Sequence, residues 1–153
     1  MSLYELFKTI HVLGAVAWAG AVIYSQFLAF LAARSGDPQR MLGFMEDEAW
    51  LGQHYFAPAA MTTLIAGIAM VIESGWEFTD AWIVIGLVLF FVTVLLGMFV
   101  LTPKSEQAVT GIREKGLADP GVKAQVDQLM KLSRIDLVLL VVIIADMVIK
   151  PGT

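Results

Sequence analysis

Four apolar runs, Ile10–Ala33, Phe56–Ile72, Ala81–Leu101 and Ile135–Ile149, take up most of the chain. Runs of this kind admit few folds. In hydrocarbon an unpaired backbone N–H or C=O costs several kcal/mol, so a single short segment can cross only as a helix that satisfies its own groups. A crossing needs ~20 residues, so the 153 residues hold about four spans and their connections. Composition agrees: 58 % hydrophobic residues, 16 % charged residues and a mean hydropathy of +0.77 lie outside the usual range of soluble domains. The expected fold is all-α, an integral membrane four-helix bundle with short interfacial or cytoplasmic helices. It forms one domain over residues 1–153, with spans near 5–33, 55–73, 81–102 and 133–150.

Two of these spans need comment. The last run is short and holds Asp136 and Asp146, so it crosses only if its helix begins earlier and enters at a tilt. The first is not a cleaved signal peptide, because apolar residues continue well past its "AVA" and only Lys8 precedes it as a positive charge.

Charge sets the orientation. Arg34 and Arg40 lie in the first connection, and Lys104, Arg113, Lys115, Lys123, Lys131 and Arg134 in or beside the third. Only Lys8 and Lys150 lie on the other side, with the acidic connection "ESGWEFTDAW". The positive-inside rule makes connections one and three cytoplasmic and both termini periplasmic, in a bacterial inner membrane. Trp76, Phe78 and Trp82 are expected in an outer aromatic belt, and Trp50 and Tyr55 in an inner one. The net charge of −4 and the absence of a basic block argue against nucleic acid as a partner. The lipid bilayer is the primary partner. With no cysteine, disulfides, thiolate metal sites and iron–sulfur clusters are excluded, and no phosphate-cradle, zinc-protease or serine-hydrolase motif is present.

The long connections carry helix signals of their own. "GDPQRMLGFMEDEAW" offers Asp37 as N-cap and Pro38 at the first helical position, followed by Met41, Leu42, Met45 and Trp50 near helical spacing. "ADPGVKAQVDQLMKL" repeats the device with Asp119 and Pro120, then Val122, Val126, Leu129 and Met130 as an apolar stripe. Both read as helices lying on the membrane or extending out of it. Met41 and Met45 at i, i+4 also have the spacing of a copper site, against flexible packing as the plainer account.

Polar residues within the spans are the candidates for function, because a charge at mid-membrane costs ~2.5–3.5 kcal/mol even on insertion scales. His11 lies about two turns in from Tyr4, and Asp146 about one turn in from Lys150. Antiparallel first and fourth spans put both ~6–11 Å inside their helix ends. A His11–Asp146 pair would fix the imidazole tautomer and leave the other nitrogen as a ligand, and Asp146 has Lys8 as an alternative partner. A polar bond between helices is the competing role for His11. His54 stands at the opposite end, near Glu46, Asp47 and Glu48, as an interfacial residue or a second metal ligand. The two histidines are ~20 Å apart along the membrane normal and cannot share one metal atom. Gly14, Ala15, Ala17, Ala19, Gly20 and Ala21 on the first span, and Ala59, Ala60, Ala66 and Gly67 on the second, permit close helix contact or room for a planar cofactor.

"FKTIHVLGAVAWAG", "APAAMTTLIAG" and "VVIIADMVIKPGT" together resemble a group of small bacterial integral membrane proteins. The group includes the haem-containing membrane protoporphyrinogen oxidases, copper-resistance-D-like membrane domains and four-span relatives without assigned function. The resemblance rests on Phe7, Lys8, His11 and Trp18, with Pro58, Met61 and Lys150–Pro151 in support. It implies haem b with His11 as axial ligand to the iron, Lys8 beside a porphyrin carboxylate and Trp18 packing the pocket. The oxidase branch usually has a further histidine in its third span, and "DAWIVIGLVLFFVTVLLGMFVL" has none, which moves the resemblance toward the unassigned relatives.

Two functional classes follow. One is a b-type haem membrane protein with a redox or electron-transfer role, an oxidoreductase of the protoporphyrinogen oxidase type at its furthest, acting on a porphyrin or quinone. The other is a cofactor-free small transporter, lipid-site protein or assembly factor, with copper handling as a third reading. Many small residues on the spans also favour a homo-oligomer.

Overall fold

A computed structural model describes residues 2–152. Its backbone is four long helical rods: α1 (Leu3–Ser35), α2 (Pro38–Ser74), α3 (Ala81–Lys115) and α4 (Pro120–Ile149). Among the described residues, α1, α2 and α3 are long and apolar enough to cross a membrane. The apolar half of α4, which carries Arg134, Asp136 and Asp146, packs antiparallel along α3. Exposed Phe27, Phe30, Ile65, Val88, Phe91, Phe99 and Val148 give the rods an outer surface suited to lipid.

The caps follow the sequence signals. Ser2 and Glu5 bond reciprocally at the start of α1. Asp37 accepts from the N–H of Gln39 before Pro38, and Asp119 from the N–H groups of Gly121 and Val122 around Pro120. α4 stops at Lys150, which takes the left-handed conformation (φ 49°) directly before Pro151.

The two long connections are continuous with the rods and not separate helices. At 1.5 Å per residue α2 and α3 are each ~50–55 Å long against a hydrocarbon core of ~30 Å, so both project well beyond one face. Their projecting halves pack on each other, on the start of α4 and on the end of α1. The predicted stripes meet there: Met41 and Met45 against Val122, Val126 and Leu129, with Ala32, Ala108 and Ile112 between them. Met45 is fully buried (0 % exposed) and serves as packing. This end holds eight of the ten Lys and Arg residues and an Arg113–Glu46 ion pair; it is called the basic end below.

α2 and α3 each contain one π-turn, Gly52–Phe56 and Gly97–Leu101, where the N–H of Ala57 reaches Gly52 O and that of Thr102 reaches Gly97 O. In each case the next residue is proline, Pro58 or Pro103. A proline ring would strike the carbonyl four residues earlier, and the wider turn removes that clash without breaking the rod. The two π-turns lie side by side, and a Cβ on Gly52 would stand 2.5 Å from Thr102 Oγ1.

Nearer the termini the rods form two tight antiparallel pairs, α1 with α2 and α3 with α4, and contacts between the pairs are few. In the middle Trp18, Ala19, Val22, Ala60, Phe90 and Leu140 close the bundle. Toward the termini the pairs separate and enclose a cavity. The Gly52–Thr102 contact generates a prediction: Gly52→Ala lowers thermal stability in detergent by about 1–3 kcal/mol, and Thr102→Ala in the same chain restores most of it. Equal loss in the single and double variants would show that the two rods do not meet there.

Candidate functional site

The cavity between the two pairs has a volume of about 460 Å³ and lies at the end that carries both termini. Its walls are mainly apolar and aromatic, with Trp18, Trp76, Trp82 and Phe90 among them, and its few polar side chains include Lys8 and His11. Size and lining match the general pattern of small-molecule sites: 300–1,000 Å³, apolar, with a few placed polar groups.

His11 is held from α2. Its Nδ1 lies 2.8 Å from the backbone carbonyl oxygen of Thr63. A carbonyl only accepts, so Nδ1 carries a proton and donates, and in the neutral tautomer Nε2 then holds the lone pair that a ligand could use. The approach depends on Gly67, one turn after Thr63. A Cβ there would stand 2.9 Å from His11 Nδ1, so only glycine uncovers that carbonyl. Gly14 has the same role beside Thr63 Oγ1, 2.6 Å from where its Cβ would be. Of the small residues expected to bring the helices together, Gly14, Gly67, Ala60 and Ala66 do so, whereas Gly20 has nothing within 4 Å.

The mouth is built from aromatic rings and cations. Lys150 Nζ stands 3.9 Å from the ring centre of Trp76 and 4.9 Å from that of Trp82, and the two indoles pack edge to face at 4.9 Å. Tyr4 packs on Trp76 at 6.2 Å, and Lys8 Nζ stands 6.0 Å from the Tyr4 ring. Trp82 was expected in the outer belt, but it is buried inside the bundle, because the first turn of α3 faces Val71 of α2 and Met147 of α4 rather than lipid.

The sequence-predicted residues separate accordingly. His11, Lys8 and Trp18 line one cavity. Asp146 does not pair with His11, whose Nδ1 is taken by Thr63. It is buried against α3 beside Gly86, and its Oδ2 has no hydrogen-bond partner among the described residues. His54 is exposed in the π-turn midway along α2, stacked on Trp50 at 4.6 Å with Nδ1 2.9 Å from the Trp50 carbonyl, away from the cavity. No group of three or more His, Cys, Asp or Glu side chains among the described residues is placed to hold a metal ion.

One family model matches residues 5–151, from the first turn of α1 to the residue after Lys150. The chain belongs to the DUF2269 family of predicted integral membrane proteins. The family description assigns membrane embedding and makes no link to the protoporphyrinogen oxidases or to copper-resistance-D-like domains. No curated protein and no solved structure matches the chain.

For this DUF2269 member, sequence reasoning found the histidine and missed what holds it. Thr63 contributes only a backbone carbonyl, to which no residue type points. Gly67 was visible as a small residue on the second span, but its register against His11 is set by the packing. The prediction here is a contrast between two glycines. Gly67→Ala displaces the imidazole and costs about 1–3 kcal/mol of thermal stability, while Gly20→Ala leaves it unchanged or raises it by up to ~1 kcal/mol through helix propensity. Equal behaviour of the two variants would remove the His11–Thr63 register from the account.

Proposed function

We propose that the protein is a b-type haem protein of the membrane with an electron-transfer role, the porphyrin lying in the cavity beside His11. The observation that carries this reading is the state of His11: Nδ1 tied to the Thr63 carbonyl, Nε2 holding the lone pair in the neutral tautomer, at the wall of an apolar cavity of about 460 Å³. A histidine that ligates a metal commonly donates its other N–H to a carbonyl or carboxylate, which fixes the ring and raises the basicity of the ligating nitrogen.

The remaining walls suit the same occupant. Trp18, Trp76, Trp82 and Phe90 supply flat apolar surface that excludes water, and Lys8 supplies a charge for a carboxylate at the mouth. Met70 and Met147 also line the cavity, and their thioether sulfurs would be available to help hold the group. Bound there, an iron porphyrin supplies one-electron chemistry. The concentration of Lys and Arg at the basic end supports a cytoplasmic position for that end and an opening of the cavity toward the periplasmic side of a bacterial inner membrane.

The visible absorption spectrum of the purified protein, oxidised and then reduced with dithionite, tests the reading. A Soret band with sharpened α and β bands on reduction is expected. His11→Ala abolishes it, and His54→Ala and Asp146→Asn retain it, since neither residue lines the cavity. A chain that remains colourless after expression with added haem overturns the proposal and leaves a cofactor-free membrane protein. Loss of the spectrum from His54→Ala alone moves the ligand away from the cavity.

A further inference from the structure

A second, smaller cavity of about 90 Å³ lies on the bundle axis toward the basic end, bordered by both π-turns at Gly52 and Gly97. Among the described residues Trp18 alone is on the walls of both cavities, so the indole stands between the outer cavity and a smaller one whose wall mixes apolar side chains with hydroxyl and carboxyl groups. All four rods contribute oxygen-bearing side chains to the inner chamber: Ser25 from α1, Glu48 from α2, Thr93 and Ser105 from α3, Ser133 and Asp136 from α4.

Their hydrogen bonds do not close. Ser25 donates to Glu48 Oε1 at 2.7 Å, and Ser133 Oγ accepts from Gln26 Nε2 at 2.6 Å. Asp136, only 8 % exposed, and Thr93, 2 % exposed, both border the chamber, and each has an oxygen, Oδ1 and Oγ1, with no hydrogen-bond partner among the described residues. Glu48 and Asp136 are the only ionisable side chains on the wall; no Lys, Arg or His from any of the four rods lines it. Two carboxyl groups thus share a buried space that contains no cation of the protein's own. Burying a carboxylate without a counter-charge costs several kcal/mol, and an unsatisfied hydroxyl costs more on top.

The chemistry of the chamber limits what can complete it. Every side-chain donor atom on these polar residues is oxygen, which suits a hard cation. The wall offers two carboxyl groups, one of them already bonded to Ser25, so little negative charge is available, which suits an ion of low charge. We propose that the inner chamber binds a single sodium ion, a small hard monovalent cation, between Asp136, Thr93 and Glu48. The site is independent of the outer cavity and does not require a porphyrin there.

Thermal unfolding of the purified full-length protein in detergent tests the site, with sodium chloride titrated against choline chloride at constant ionic strength and at several pH values around neutrality. If sodium is the occupant, the melting temperature rises saturably with sodium and not with choline. Asp136→Asn abolishes the response, and Thr93→Val weakens the apparent affinity about ten-fold. If sodium has no effect and stability only rises as pH falls, Asp136 takes up a proton in place of an ion and the proposal is overturned. Glu48→Gln, which keeps an oxygen acceptor for Ser25, and Thr93→Val decide the matter should Asp136→Asn fail to fold. A wild-type protein indifferent to sodium, or variants that respond as the wild type does, overturns the proposal.

Discussion

A side chain can reach a carbonyl inside a helix only where the next turn leaves it uncovered. Thr63 and Gly67 supply that opening on α2, and His11 fills it. The bond fixes more than a tautomer. It sets the register of α1 against α2, and with Gly14 on Thr63 it holds the two rods at backbone contact. In a membrane no hydrophobic force drives helices together, so close packing and a few polar bonds must hold such a pair. The separation between the two pairs, and hence the outer cavity, follows from how tightly each pair closes on itself.

Trp18 then divides the interior. Packed edge to face on Phe90 with ring centres 5.5 Å apart, it belongs to the cluster that closes the middle of the bundle. On one side the walls are mainly aromatic and aliphatic, with His11 and Lys8 among their few polar groups, and on the other apolar side chains mix with hydroxyls and two carboxyls. Polar groups in a membrane interior are tolerated where they face a cavity or one another. Here Ser25, Glu48, Thr93, Ser105, Ser133 and Asp136 border one small cavity near the two π-turns, while Asp146 is buried apart from it beside Gly86.

Much of the fold was legible in the sequence. The apolar runs, the Asp37–Pro38 and Asp119–Pro120 starts and the two stripes at the basic end each rest on local chemistry that tertiary packing did not override. His11, Lys8 and Trp18 were grouped by the resemblance of the opening segment to a known group of membrane proteins, and they do line one cavity. Trp82 was not, because its side chain turns inward for reasons of packing that its neighbours in the chain do not encode. The π-turns had a signal in a repeated spacing, glycine six residues before proline at Gly52 and Pro58 and again at Gly97 and Pro103. Asp136 stood out as a charge in a span, but its company with Glu48 and Thr93 comes from three different rods and no spacing along one chain segment expresses it.

The rods are longer than a bilayer requires, and the excess has a structural use. Met41, Met45, Ala108, Ile112 and the first stripe of α4 form a core of the kind found in soluble bundles, where burial of apolar surface from water drives association. That force is absent within hydrocarbon. The basic end therefore anchors α2, α3 and α4 by a mechanism the membrane half lacks, and the rods enter the membrane already in register. Their opposite ends are free to separate around a cavity without loss of the fold, which explains why the larger space lies at the termini and the smaller chamber sits close to the anchored end.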